Sequence, residues 1–129
     1  MKAATFSKFR KKLNKTQKQM AQLMGTSIKA IHSYEQGWRT IPTHVERQLY
    51  FLLACRLQGQ NSGACWEKRS CLPEQREQCP AWEFASGDLC WFINGTICNG
   101  HVHGSWQEKM QLCRSCAIFK SILKKIEQL

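Results

Sequence analysis

The stretch at residues 16–37, TQKQMAQLMGTSIKAIHSYEQG, constrains the fold more than any other part of the chain. Its apolar residues recur at helical spacing in two short segments, which Gly25 separates. Thr16 and Ser27 carry hydroxyls that can accept from the free backbone N–H groups at the start of a helix. Glycine ends a helix where the backbone must become left-handed. The stretch therefore predicts two short helices joined by a tight turn.

The second of these helices is predicted to have one apolar and one polar face. The inward residues are Ala30, Ile31 and Tyr34. The outward residues are Lys29, His32, Ser33 and Gln36. A helix that reads the major groove of DNA needs one face packed on the protein core and a polar, partly cationic face exposed toward the bases. The alternative is a helical hairpin that only mediates protein contacts.

Residues 6–55 resemble the Cro/phage-repressor (XRE) helix-turn-helix family. The residues that carry the match are Thr16, Gln17, Ala21, Gly25, Ser27, Ile31, Tyr34, Glu35 and Gly37. The resemblance implies that the chain binds double-stranded DNA, with Gln17 at a phosphate. It places at or near base edges the residues Ser27, Ile28, Lys29, His32 and Ser33. It also implies that Arg10 on the first helix pairs with Glu35.

Positive charge is concentrated in the same half of the chain. The net charge is +10, and residues 1–58 hold eleven Lys/Arg against two acids, whereas residues 59–129 hold eight against seven. A phosphate backbone as partner explains this segregation. Arg39, in a predicted loop at residues 38–42, is well placed to meet phosphate.

Two further helices complete the predicted four-helix bundle, at residues 6–13 and from residue 42 or 43 to about residue 57. The fourth has an inward stripe and little polar surface between Leu49 and Cys55. A helix that is apolar on most sides is buried on most sides. We therefore expect a second subunit, in a homodimer, or the rest of the chain to cover it, and we interpret Cys55 as a small buried hydrophobe.

The polar, glycine-containing stretch that follows predicts a domain boundary, with a DNA-binding domain at 1–58, a linker at 59–64 and a cysteine-rich domain at 65–129. In the last of these, Asn94-Gly95 lies between residues 91–93 and 96–98, which predicts a β-hairpin with a two-residue turn. The apolar spacing of residues 118–129 predicts a C-terminal helix. The expected fold class is mainly α.

Seven cysteines fall in this second domain: Cys65, Cys71, Cys79, Cys90, Cys98, Cys113 and Cys116. Only Cys113-x-x-Cys116 has a familiar metal-ligand spacing. The domain resembles the bacterial two-CW cysteine-rich domain, through CWEKRSC, CPAW, CWFINGTICNG and KMQLCRSCAIF. The resemblance implies an association with sensory and regulatory proteins, and a common role for the cysteines.

Three chemistries suit these cysteines. One is an iron–sulfur cluster, of the 4Fe-4S type, held by four of the seven. The second is one structural zinc ion, or two with a histidine such as His101 or His103 assisting, although we interpret both histidines as surface residues of a loop. The third is a thiol–disulfide switch without metal. In the absence of an export signal we expect a reducing, cytoplasmic compartment, in which cysteine clusters more often hold metal.

Together these features predict a sequence-specific DNA-binding transcription regulator that senses redox state or oxygen through its cysteine-rich half. The alternative is a helix-turn-helix protein with a purely structural, zinc-stapled module that binds a signalling protein. We do not expect an enzyme, because no nucleophile–base pair or paired carboxylates occur at useful spacing. No apolar run reaches the roughly 18 residues of a membrane span.

Overall fold

The computed structural model describes residues 1–57, 70–84, 89–98 and 101–129, and the described chain is mainly α, as predicted. It divides into two compact units, Met1–Arg56 and Leu57–Leu129. The predicted linker at 59–64 and Cys65 lie outside the described residues, so the boundary at residue 58 stays a prediction. Among the described helices, none is both long and apolar enough to cross a membrane.

The first unit consists of helices that follow one another closely in sequence. They are α1 (Ala3–Lys12), α2 (Gln17–Met24), α3 (Ile28–Gln36) and α4 (Thr43–Arg56). Helix α1 begins three residues earlier than the sequence pattern predicted, since Ala3 and Ala4 are strong helix formers that extend it toward the N-terminus.

Local side-chain bonds fix the bounds of α2 and α3. The Thr16 hydroxyl accepts from the Gln19 N–H at 3.1 Å, and the Gln19 side-chain oxygen accepts from the Thr16 N–H at 2.9 Å, which is a capping box. The Ser27 hydroxyl accepts from the Ala30 N–H at 3.0 Å. Gly25 follows α2 with φ +65°, a left-handed conformation that costs a residue with a side chain about 1 kcal/mol or more. The predicted tight turn between the two helices is confirmed.

Side chains from all four helices form the core of the first unit. Phe6, Met20, Ile31 and Leu49 are completely buried. The ring of Phe6 meets that of Tyr34 edge-on, with centroids 5.8 Å apart, so that α1 supports α3 from behind. This packing leaves the opposite side of α3 to solvent.

Helix α4 departs from the prediction at its C-terminal end. Val45, Leu49 and Leu53 form the expected buried stripe, and Tyr50 is buried with its ring edge-on to Phe9 at 5.8 Å. Cys55, however, is exposed, so its interpretation as a buried hydrophobe is wrong. Two residues beyond Leu53, a helical side chain points well away from the stripe, and an apolar neighbourhood in sequence does not change that direction.

In its described residues, 70–84, 89–98 and 101–129, the second unit contains short elements and two longer C-terminal helices. They are α5 (Pro73–Glu77), α6 (Pro80–Glu83), α7 (Cys90–Ile93), β1 (Ile97–Cys98), β2 (His101–Val102), α8 (Trp106–Ser115) and α9 (Ala117–Glu127). Trp91 of α7 packs against Phe119 of α9, with ring centroids 5.7 Å apart. Met110 of α8 and Ile126 of α9 are completely buried in the same unit.

A two-stranded antiparallel pair is present, but it lies farther along the chain than the predicted hairpin. Residues 91–93 belong to α7, where the Ile93 N–H donates to the Leu89 carbonyl at 2.9 Å, rather than to a strand. Gly95, with φ +58°, takes the chain out of this turn. The strands β1 and β2 pair antiparallel instead, with Ile97 opposite Val102. The turn at Asn94-Gly95 therefore ends a helix, and the expectation that it joins two strands is wrong.

Helix α9 confirms the predicted C-terminal helix, and α8 is an element that the sequence reading missed. The Ser105 hydroxyl accepts from the Glu108 N–H at 3.1 Å, and the Glu108 carboxylate accepts from the Gly104 N–H at 3.0 Å. These bonds satisfy backbone donors at the start of α8. The Ser-x-x-Glu sequence is a known signal for a helix start.

Candidate nucleic-acid interface and cysteine cavity

The outer face of α3 carries most of the residues that the sequence assigned to DNA. Ser27, Ile28, Lys29 and His32 are all exposed. Nearly half of the Ile28 side chain is accessible, which is unusual for isoleucine and suits an apolar contact with a base methyl group. These residues form one continuous solvent-facing surface, which we call the α3 outer face.

Ser33 does not belong to that face. It is 8% exposed, and its hydroxyl donates to the Lys29 carbonyl at 2.8 Å. The prediction that Ser33 points outward is therefore wrong. A serine inside a helix can satisfy its hydroxyl on the carbonyl four residues earlier, and this lets it face a partly apolar environment.

Glu35, at the end of α3, holds the first three helices together. The Arg10 Nε donates to Glu35 Oε1 at 2.5 Å, which confirms the pairing that the sequence implied. The Gln17 side-chain amide donates to Glu35 Oε2, so its side chain braces α2 against α3. Arg10 also donates from Nη1 to the Lys15 carbonyl at 2.7 Å. We call Arg10, Gln17 and Glu35 the bracing network.

The bracing network changes the acidity of its carboxyl group. Burial raises the pKa of Glu35, but hydrogen bonds from Arg10 and Gln17, together with the charges of Arg10 and Lys11, outweigh that effect. The net result is a pKa below the ordinary value for glutamate. The carboxylate is therefore the form that the folded unit stabilises.

This lowered pKa predicts an acid-sensitive first unit. Glu35 contributes stability that is fully present above the unfolded-state pKa of about 4.3, and that is lost as the pH falls through the lower folded-state pKa. We expect the free energy of unfolding, measured by urea titration of the full chain with circular dichroism, to fall less steeply below pH 4.3 in Glu35→Gln than in the unchanged protein. Glu74→Gln, at an exposed position on α5, should keep the original slope. Equal slopes for all three would contradict the role of Glu35.

The segment after α3 presents two exposed side chains beside the α3 outer face. Arg39 is exposed, as expected for a phosphate contact, and its backbone N–H donates to the Ser33 carbonyl at 3.3 Å. The ring of Trp38 meets that of His32 edge-on, with centroids 5.4 Å apart. This contact restricts the orientation of the His32 imidazole on the surface of α3.

In the second unit, all six of the described C-terminal cysteines line one cavity of about 540 Å³. We call it the cysteine cavity. Its cysteines are Cys71, Cys79, Cys90, Cys98, Cys113 and Cys116. Apolar walls come from residues that include Trp91, Ile118 and Phe119, and both His101 and His103 also line the space. Three of these cysteines lie within α7, β1 and α8, and the other three lie in the connections between elements, yet all six border the same space.

Local structure explains how several of these cysteines reach the cavity. Cys113 lies in the last turn of α8 and Cys116 immediately precedes α9, with the Cys116 N–H donating to the Cys113 carbonyl at 2.9 Å. The Asn94 side-chain amide donates to the Cys79 sulfur at 3.6 Å. Ala81 and Ile118 form a small apolar core, against which Cys79, Cys90 and Cys116 pack.

Comparison with known protein families finds a match in the first part of the chain. Residues 7–43 match the helix-turn-helix family. The match begins within α1 and ends at the first residue of α4, so it contains the bracing network and the α3 outer face. Helix-turn-helix proteins of this family are typically DNA-binding regulators. No curated protein and no solved structure matches the chain.

The cysteine cavity has the donor set that a thiolate-bound metal requires. Cysteine sulfur suits zinc and iron–sulfur clusters, and imidazole suits zinc. Among the described residues no three Cys, His, Asp or Glu side chains already stand in a metal-binding arrangement. The cavity therefore offers donors of suitable chemistry in one space, but the described side chains do not surround a single ion.

Two residues of the cysteine cavity were missed in the sequence. Asn94 has the sequence context of a turn former, and its contact with Cys79 depends on a fold that brings residues 79 and 94 together. Lys109 belongs to no ligand pattern, although it lies on the buried stripe of α8. The signal for Lys109 was present in the sequence, because Trp106, Lys109, Met110 and Cys113 follow the spacing of one helical face.

Proposed function

We propose that this chain is a sequence-specific DNA-binding transcription regulator whose second unit holds a thiolate-bound metal centre. The observation that carries the DNA-binding part is the α3 outer face, where Ile28, Lys29 and His32 are exposed on a helix that the bracing network and Phe6 hold from behind. A rigid helix that presents apolar, cationic and imidazole groups side by side can make different contacts with different base pairs in the major groove.

The basic charge of the first unit supplies the part of binding that does not depend on sequence. Contacts between Lys or Arg and phosphates release counterions, so that affinity falls steeply with salt. Arg39, which is exposed next to α3, is one such contact. Phosphate contacts set position, and the α3 outer face reads the bases.

A homodimer is part of this proposal. Helix-turn-helix proteins commonly bind as dimers to two half-sites. On α4, Phe51, Leu52 and Ala54 are only half-buried and Cys55 is exposed, so this end of the helix retains apolar surface. We propose that α4 contributes to the contact between two copies.

The DNA-binding proposal predicts that the full chain enriches a defined motif from a pool of random-sequence duplexes. If two copies bind together, the motif will contain two inverted half-sites. Fluorescence anisotropy measures the affinity for the enriched duplex and for a scrambled duplex over a range of salt concentrations. The two affinities separate sequence-specific from non-specific binding. Equal affinity for both duplexes at every salt concentration would reject sequence-specific binding.

For the second unit, the cysteine cavity supports an iron–sulfur cluster most directly. It brings together six cysteines, more than the four ligands of one tetrahedral ion, and its walls are largely apolar. Such a centre would let the protein sense redox state or oxygen, because oxidation or loss of the cluster would change the packing around Trp91 and α9. Both Cys113 and Cys116 would serve as ligands.

The second candidate is a structural zinc site, with the unit as a partner-binding module that senses nothing. The observation that favours it is the presence of His101 and His103 in the same cavity, together with the Cys113-x-x-Cys116 spacing. An absorption spectrum and elemental analysis of protein purified without oxygen decide between the two. Iron and sulfide with a broad visible band indicate the cluster, and colourless protein with zinc indicates the module. Reduced, properly folded protein that holds neither and takes up neither would reject a metal centre and leave a thiol–disulfide switch.

A further inference from the structure

Trp38 follows closely after the end of α3, and 72% of its surface is exposed. It is the only tryptophan in residues 1–58 of the sequence. Tryptophan is highly buried on average in folded proteins, because its ring system is large and mostly apolar. An indole that stays this exposed adds little to the core of the first unit, so folding alone does not explain its position.

Hydrogen bonds at the end of α3 fix the backbone of Trp38. The Trp38 N–H donates to the Ser33 carbonyl at 3.0 Å, and the Gly37 N–H donates to the Tyr34 carbonyl at 3.3 Å. Gly37 is left-handed, with φ +76°. Together these features form a Schellman motif, which ends a helix and satisfies its last carbonyls. The motif determines the point of the surface from which the indole projects.

Trp38 continues the α3 outer face beyond the end of the helix. Ile28 and His32 are four residues apart, so they lie on one side of α3. The ring of Trp38 meets that of His32 edge-on, with centroids 5.4 Å apart. Exposed apolar and aromatic side chains thus follow one another along the proposed DNA-reading surface, and the exposed Arg39 adds a positive charge after the last of them.

The position of Trp38 after α3 indicates which part of a duplex it can reach. In helix-turn-helix proteins, the N-terminal residues of the reading helix contact base edges in the major groove. The opposite end of such a helix is directed toward the sugar–phosphate backbone at the edge of the groove. Deoxyribose presents apolar C–H surface, and a phosphate accepts charge-assisted bonds from arginine. An aromatic ring next to a guanidinium group therefore matches the backbone in both shape and charge.

We propose that Trp38 is a DNA contact whose indole packs against a deoxyribose of the duplex backbone, next to the phosphate that Arg39 meets. This inference rests on the proposed DNA binding and adds to it an uncharged contact that does not depend on base sequence. Removing apolar surface of the ring from water stabilises the complex. The ring carries no charge and releases no counterions, so its loss leaves the slope of affinity against salt unchanged.

The test compares full-length variants by fluorescence anisotropy on the enriched and scrambled duplexes. We expect Trp38→Ala to weaken binding to both duplexes about three- to tenfold, from the loss of the apolar surface that the ring buries, with an unchanged salt slope. Trp38→Phe keeps an aromatic ring and should recover most of the affinity. Trp82→Ala is the matched control, since Trp82 is 42% exposed on α6 in the second unit, and it should bind both duplexes as the unchanged protein does. Circular dichroism verifies that each variant folds.

A second measurement keeps the indole in place and shows whether it meets DNA. The full chain labelled with 5-fluorotryptophan gives a fluorine NMR resonance for each tryptophan, and the one missing from Trp38→Phe belongs to Trp38. The position of this resonance changes when H₂O is replaced by D₂O, because the ring is exposed. We expect the enriched duplex to reduce that change, since contact with deoxyribose removes water from the ring. An undiminished response to D₂O in the complex would overturn the proposal.

The contact between Trp38 and His32 defines the main competing role, in which the ring only orients the imidazole toward a base. Trp38→Ala would then weaken binding to the enriched duplex alone and would have no further effect in His32→Ala protein, and this result would overturn the backbone contact. Sedimentation of DNA-free Trp38→Ala should match that of the unchanged protein. A shift to smaller species would also overturn the proposal, because Trp38 would then join two copies of the chain.

Failure of this inference differs from failure of the proposed function. If the unchanged protein binds neither duplex, DNA binding itself is rejected, and the role of Trp38 with it. If the unchanged protein binds DNA and Trp38→Ala binds it equally tightly, only the role of Trp38 is rejected.

Discussion

Replacing Cys113 and Cys116 together with serine is expected to weaken Zn²⁺ binding at least about a hundredfold and to prevent cluster assembly. The two residues stand on either side of the junction between α8 and α9, and both line the cysteine cavity. Serine matches cysteine closely in size, but its hydroxyl does not ionise near neutral pH and is a poor ligand for zinc or iron. Competition titration and iron and sulfide analysis measure the loss.

The control for this double variant is Cys55→Ser. Cys55 is exposed on α4 in the first unit and does not line the cysteine cavity. Cys55→Ser should leave the Zn²⁺ affinity unchanged. It should also keep the rise in melting temperature that Zn²⁺ causes, because a ligand that binds the folded state stabilises that state. The double variant should lose this rise. A double variant that binds Zn²⁺ as tightly as the unchanged protein would remove both cysteines from the ligand set.

The parts of the fold that the sequence predicted correctly depend on residues close together in the chain. Thr16 and Ser27 cap α2 and α3 through bonds to residues three positions later, and Gly25 needs only its own backbone conformation. The pairing of Arg10 with Glu35 spans 25 residues and was available only through the resemblance to a known family. Local chemistry is sufficient to fix a cap, but it does not identify a distant partner.

The errors have a common physical cause, which is that packing decides between two locally acceptable structures. Asn94-Gly95 suits a hairpin turn and also suits the end of a short helix. The helix is found because Trp91 is buried against Phe119, and because its carbonyl accepts from Trp106 and Lys109. None of these three partners lies within ten residues of Trp91, so periodicity near Asn94 could not have revealed them.

The sequence indicated that the cysteines act together, but it did not predict where in the fold they meet. The spacings of five, seven, ten and seven residues between successive cysteines match no familiar ligand pattern. The structure turns six of them toward one cavity because short helices and a two-stranded sheet reverse the chain repeatedly between them. Whether metal, cluster or disulfide chemistry uses this arrangement depends on the identity of the occupant, which spacing alone does not specify.

Lys29→Met is expected to weaken binding of the full chain to its enriched duplex by about ten- to a hundredfold, which corresponds to the loss of one good base contact. Lys29 is exposed on the α3 outer face, which also carries Ile28 and His32. Methionine keeps the apolar stem and the helix propensity of lysine, so the charged donor group is the main loss. Fluorescence anisotropy on the enriched and scrambled duplexes measures both affinities.

The comparison of the two duplexes identifies what Lys29 contacts. A loss confined to the enriched duplex means that Lys29 reads a base, whereas an equal loss on both, with a salt slope reduced by about one, means that it meets a phosphate. Lys124→Met removes the same charge from an exposed position on α9 in the second unit and should affect the enriched duplex far less. If Lys124→Met weakened binding as much as Lys29→Met, the change in net charge would explain both effects. The Lys29 result would then not support α3 as the helix that contacts DNA bases.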